Sequence, residues 1–152
     1  MQVEVSVLID APRDEVFALL TEYGSEARLR VSPQLQAQEV VERQGNVVVC
    51  DNLWEHDDKS IASRRRYTLT PPNRIEEEVV EAGTGLQRVT TLLEPEGDQT
   101  RLTMTSEYRM SGIWRLLARV ATSQMAKLDQ EFLEKLRAGI EAEFEEVDAD
   151  EE

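Results

Sequence analysis

Hydrophobic and polar positions alternate from the start of the chain. Val3, Val5, Val7 and Ile9 alternate with Gln2, Glu4, Ser6 and Leu8, the period of two expected of a strand with one buried face. The period then lengthens. Val16, Leu19, Leu20 and Tyr23 recur at helical spacing, behind Asp10 and Pro12, which suit a helix start, and ahead of Gly24, which suits its end. Residues 25–31 predict a second short helix, stopped by Pro33. Strand patterns then return over 34–44, 46–56, 59–70, 73–82, 86–94 and 100–110, separated by turns rich in Gly, Pro, Asn and Asp. This spacing predicts an antiparallel meander.

The last stretch returns to helical spacing. Ile113, Leu117, Val120, Ala121, Met125, Leu128, Phe132, Leu136, Ile140 and Phe144 form one stripe, widened by Trp114, Leu116 and Leu133. It predicts a single helix from about Gly112 to Phe144 that crosses the whole sheet. The fold class expected is therefore α+β: a curved, antiparallel, seven-stranded sheet wrapped around a long C-terminal helix, with two short helices after the first strand.

Charge places the hairpins in register. If facing residues sum to 195 in the last hairpin, Glu94 meets Arg101 and Arg88 meets Glu107. A sum of 144 across Pro71-Pro72 sets Arg66 against Glu78 and Tyr67 against Glu77, and a sum of 168 across Gly83-Thr84-Gly85 sets Val79 against Val89 and Glu77 against Thr91. All three share one parity. The resulting inner face carries Arg65, Tyr67, Leu69, Ile75, Glu77, Val79, Val89, Thr91, Leu93, Leu102, Met104, Ser106 and Tyr108. It is mostly apolar with a few polar groups near its middle, as small-molecule pockets are. Leu117, Ala121 and Met125 of the last helix complete the expected lining. Access is expected near helix 25–31 and the Gly83–Gly85 turn.

Composition narrows the classes. At 152 residues and 40% hydrophobic, the chain suits one domain, expected over 1–147, with an acidic disordered tail over 148–152. The net charge is −14, and residues 141–152 hold eight acids and no base; without them 23 acids stand against 17 bases. That balance disfavours nucleic acid and anionic membrane as partners. No apolar run approaches the ~18 residues of a membrane span. The first residues read as a strand rather than a secretory signal, and Cys50 is the only cysteine, which together point to a cytoplasmic protein. Oligomeric state is left open by composition.

The strand-to-helix segment Val7-Leu8-Ile9-Asp10-Ala11-Pro12-Arg13-Asp14-Glu15-Val16-Phe17 resembles the opening of the START-like helix-grip (SRPBCC) superfamily, in its polyketide cyclase/dehydrase and lipid-transfer-like branch. The element order is similar over roughly the first 145 residues. The resemblance implies an apolar ligand held between sheet and final helix. It covers lipid carriers, hormone binders, cyclases and co-chaperones without selecting one. The cysteine and histidine ligands of the iron–sulfur oxygenase branch have no counterpart here, so no cofactor and no metal are expected.

Glu77, with Tyr67 and Arg65, is the candidate for chemistry: a carboxylate on an apolar face can orient a ligand hydroxyl or act as a base. Equally, Glu76-Glu77-Glu78 reads as a solvated acidic run, or Glu77 as a structural partner of Arg65. His56, in Glu55-His56-Asp57-Asp58, suits a solvated hairpin tip better than a metal site, and Cys50 suits an inert buried position better than a nucleophile. Trp54 and Tyr108 suit stacking on a flat ligand or plain core. The first functional reading is a non-catalytic binder or carrier of a hydrophobic or aromatic molecule or lipid. The alternatives are a cyclase- or dehydratase-like enzyme using Glu77 and Tyr67, and a co-chaperone-like module whose acidic tail docks on a basic partner.

Overall fold

The structure, a computed structural model, describes residues 1–81, 85–110 and 112–150. Strand β1 (Gln2–Ile9) leads into helices α1 (Arg13–Leu20) and α2 (Glu26–Val31). The meander follows as β2 (Leu35–Gln44), β3 (Val47–His56), β4 (Lys59–Thr70), β5 (Arg74–Glu81), β6 (Leu86–Glu96) and β7 (Gln99–Tyr108). Helices α3 (Ile113–Leu116) and α4 (Ala118–Asp150) close the chain. The strands form one antiparallel sheet in the order β1-β7-β6-β5-β4-β3-β2, the helix-grip arrangement that the sequence pattern predicts.

Register follows the charge argument at two of three turns. Arg88 faces Glu107 and Glu94 faces Arg101, while Tyr67 faces Glu77 and Arg66 faces Glu78. The β5–β6 pair corrects the third. Glu77 faces Val89 and Ile75 faces Thr91, a slide of two residues from the expected pairing. Parity is kept, so the same side chains face inward, and Glu78 gains Arg88 as its cross-strand neighbour.

Local chemistry sets the helix ends. Pro12, rather than Asp10, occupies the N-cap of α1. Ser25 caps α2 by accepting a bond from the Arg28 amide at 3.0 Å. The closing helix departs from expectation more. It breaks at Leu117, giving α3 and α4, and its backbone runs on through Asp150, into the segment expected to be a disordered tail.

The stripe also divides in two. Leu133, Leu136 and Ile140 are buried against the core, each burial contributing roughly 1.5–3 kcal/mol. Ile113, Leu116, Leu117, Val120 and Leu128 are exposed instead (66, 86, 45, 57 and 52%). The Trp114 side chain lies outside the described residues. The α4 backbone comes nearest to β1 and α2, and Leu133, Leu136 and Ile140 join the core cluster formed by the sheet's buried face. The alternating buried residues of β3, β4 and β5, among them Cys50, Asn52, Tyr67 and Ile75, face the interior.

Candidate ligand-binding site

Alternation along β3 and β4 turns Cys50, Asn52, Ser63 and Tyr67 inward, and all four are buried. A bulge in β2 adds Gln38 to the same face. The Gly24 amide donates to Gln38 Oε1 at 2.9 Å, Gln38 Nε2 to Asn52 Oδ1 at 3.0 Å, and Asn52 Nδ2 to the Tyr67 hydroxyl at 2.8 Å. Gly24 has φ +82°, a backbone open to glycine and costly to most residues, so the turn after α1 is built to bring that amide onto Gln38. The Tyr23 ring lies 4.4 Å from the Tyr67 ring.

Beside this chain sits an ion pair. Arg65 Nη1 donates to Glu77 Oε1 at 2.5 Å, Arg65 Nε to Ser63 Oγ at 3.2 Å, and the guanidinium lies 4.8 Å from the centre of the Trp54 ring. The Arg65 and Glu77 side chains are only 12 and 16% exposed. Burial works against the Arg65 charge, but Glu77 outweighs it and raises the guanidinium pKa. Burial, reinforced by the Glu77 charge, pushes the Tyr67 hydroxyl far above its ordinary range, and burial does the same to Tyr23.

A second polar cluster joins sheet to helix. Tyr108 at the end of β7 donates to Asp129 of α4 at 3.1 and 3.3 Å. Burial raises the Asp129 carboxyl above the usual carboxylate range, and burial with the Asp129 charge pushes Tyr108 up to about 12.

Three polar atoms around these groups are buried without a hydrogen-bond partner among the described residues: Tyr23 Oη, Arg28 Nη1 and Trp54 Nε1. Arg28 spends its Nε on the Leu20 carbonyl at 3.0 Å. The charges of Arg28 and Glu77 both bear on Tyr23 and Tyr67, which places these groups in one neighbourhood.

Of the residues expected to line a cavity, Tyr67, Val89, Met104, Ser106 and Ala121 are buried. Arg65, Glu77, Val79, Thr91, Tyr108 and Met125 are half-buried. Leu117 is a correction: it sits at the helix break, 45% exposed, because the stripe is interrupted there. Two open hollows flank the interior without reaching Tyr67, Val89 or Met104. One, of about 600 Å³, lies at the end of β5 and β6 between Val80, Gly85 and Arg88; the other, of about 490 Å³, lies between Met1, Met110 and Thr122. The expected access turn falls largely outside the described residues, with Gly85 the part that is placed.

Gln38, Asn52, Tyr23, Arg28 and Asp129 are additions to the sequence-based site. His56 is 58% exposed and pairs with Asp57 at the hairpin tip, and no group of metal-ligating side chains occurs among the described residues. Cys50 is buried, and burial pushes its thiol up to about 11, which suits an inert side chain. No described helix is long and apolar enough to cross a membrane.

The family model for polyketide cyclase/dehydrase and lipid transport matches residues 1–141. The chain belongs to that family. Among solved structures it is similar to the Zhui aromatase/cyclase from Streptomyces sp. R1128 (15% identity, TM-score 0.64, covering 94% of this chain and 90% of that one). It is also similar to a START superfamily protein from Mycobacterium smegmatis (16%, 0.71, covering 96 and 98%). A third is a STAR-related lipid transfer protein from Xanthomonas axonopodis (14%, 0.65, covering 90 and 84%). At these identities the likeness is one of fold. No curated protein matches the chain.

Proposed function

We propose that this member of the family binds an apolar or aromatic small molecule, bearing a carbonyl or hydroxyl oxygen, between the concave face of the sheet and α4. The observation that supports it is the set of three buried donors, Tyr23 Oη, Arg28 Nη1 and Trp54 Nε1, gathered around Arg65, Glu77 and Tyr67. An unpaired buried polar group costs about 1–3 kcal/mol, so a site that keeps three is poised for an acceptor. Val89, Met104 and Ala121 supply the apolar surround. The Trp54 ring, under the Arg65 guanidinium, supplies a flat wall.

The test uses 2-acetylnaphthalene, a flat apolar ketone, with binding followed by tryptophan fluorescence and native mass spectrometry. Saturable one-to-one binding, weakened at least tenfold by Arg28→Met, is the expected result. No saturable binding, or binding indifferent to Arg28→Met and Trp54→Leu, would overturn the proposal.

A second reading is catalysis on the same ligand. It draws on Glu77, a shielded carboxylate opposite Tyr67 in the β4–β5 register. Glu77→Gln separates the two, since it leaves a carrier's affinity nearly intact and abolishes turnover in an enzyme.

A further inference from the structure

The residues that the closing stripe leaves uncovered share an unusual charge environment. From Tyr108 to Leu128 the sequence holds Arg109, Arg115, Arg119 and Lys127 and no acid, in a chain whose net charge is −14. All four bases are exposed. Among them stand Ile113, Leu116, Leu117 and Val120, exposed by 66, 86, 45 and 57%. Leu128 continues the same side of α4, 52% exposed. Exposed aliphatic side chains in such a cluster mark an interaction surface rather than ordinary scatter.

We infer that this α3–α4 shoulder docks on an anionic lipid surface. Apolar side chains flanked by arginine and lysine are the composition of interfacial membrane segments. A fluid bilayer accepts protruding side chains such as Leu116 without a preformed complement, whereas a protein partner needs a matching pocket. Pairing the shoulder with its own copy would set arginines against arginines with no acid from 108 to 128 between them.

The protein's overall acidity does not oppose this docking strongly. Of the acids that follow on α4, Asp129 is turned onto the Tyr108 hydroxyl and Glu134 pairs with Arg137, which leaves Glu131 nearest. The acid-rich segment begins at Glu141, about 35 Å along α4 from Ala118 at ~1.5 Å per residue. That is more than three Debye lengths of roughly 8–10 Å. Glu107, the acid that precedes the stretch, lies 3.9 Å from Arg88. Each base near an anionic surface adds attraction, so folding concentrates what composition averages away.

The shoulder also sits at one end of the sheet. The Tyr108 backbone amide donates to the Met1 carbonyl at 2.8 Å and the Arg109 amide to the Gly85 carbonyl at 2.8 Å, which brings β1, β6 and the shoulder together there. The hollow between Met1, Met110, Arg115 and Thr122 lies at the same end. The inference goes beyond the interior binding proposed above and does not depend on it.

The experiment is co-sedimentation of the full chain with phosphatidylcholine vesicles, with and without phosphatidylglycerol, at low and high salt. Expected is binding that requires phosphatidylglycerol and weakens with salt. It should fall more than tenfold in Leu116→Asp and in Arg115→Glu with Arg119→Glu. Circular dichroism and 2-acetylnaphthalene binding should be unchanged in these surface variants. If Leu116→Asp does not fold, the arginine pair carries the test alone. No partition onto anionic vesicles, partition unaffected by either variant, or a dimer by light scattering that Leu116→Asp dissolves without any vesicle binding would each overturn the inference. Vesicle binding in a protein that ignores 2-acetylnaphthalene would leave the docking intact and remove the interior reading instead.

Discussion

Arg65 and Glu77 meet across β4 and β5, the central strand of the sheet, with a 2.5 Å bond between nearly buried side chains. Removing one partner strands the other charge. Arg65→Met should lower unfolding free energy by about 3 kcal/mol, whereas Arg65→Met with Glu77→Leu should recover most of that loss. Urea unfolding of the single and double variants checks the pair, and equal losses in both would show that the ion pair does not govern stability here.

Tight packing of α4 on α2 gives a second expectation. A Cβ added at Gly139 would lie 2.9 Å from the Val31 carbonyl oxygen and 3.0 Å from Val31 Cα. Alanine favours a helix by up to about 1 kcal/mol over glycine, yet backbone cannot yield as a side-chain tip can. Gly139→Ala should therefore destabilise by about 1–3 kcal/mol. A more stable variant by thermal unfolding would mean that α2 and α4 stand farther apart.

Much of this fold is legible in the chain because face alternation and charge act locally. The pairs Arg88–Glu107, Glu94–Arg101 and Arg66–Glu78 follow from sequence alone. The β5–β6 slide is the instructive miss. Parity is fixed by which side chains are apolar, but the offset is not, and a sum of 168 leaves Glu78 opposite Thr90. The observed Glu78–Arg88 pairing was available as a charge signal. The closing stripe misled because periodicity says which residues share a face, not whether anything covers it. Leu133 and Leu116 look alike in sequence, yet one is fully buried and the other 86% exposed. Gln38 was hidden by bulges in β2 that reset alternation, while Asp129 could have been noticed as an acid set within an apolar stripe.

All three tyrosines titrate late, because burial raises each of them, Tyr108 to about 12. A phenol held neutral by folding contributes stability below its unfolded pKa of about 10, and that contribution is lost as pH rises toward the folded value. Phenolate absorbance should therefore appear only well above pH ~10, alongside loss of near-ultraviolet circular dichroism. A normal titration of even one tyrosine in the folded protein would contradict this.

Asp129 has the same sign for the same reason. Its raised carboxyl pKa means that folding is favoured below the unfolded carboxylate range and penalised as pH rises through the folded value. Asp129→Asn can still accept from Tyr108 and carries no charge. Its stability relative to the parent should be greatest near neutrality and decline in acid. Thermal melts across that pH range read the difference, and a constant offset would show that Asp129 is not desolvated.

The claim at the centre of the account is an interior ligand site under α4. Heteronuclear NMR during titration with 2-acetylnaphthalene addresses it residue by residue. The account predicts saturable shifts at the Trp54 indole N–H, the Arg28 side chain and the backbone of Tyr67, Val89 and Met104. Shifts confined to Val80, Gly85 and Arg88 at the outer hollow, or no shifts at saturating ligand, would contradict it.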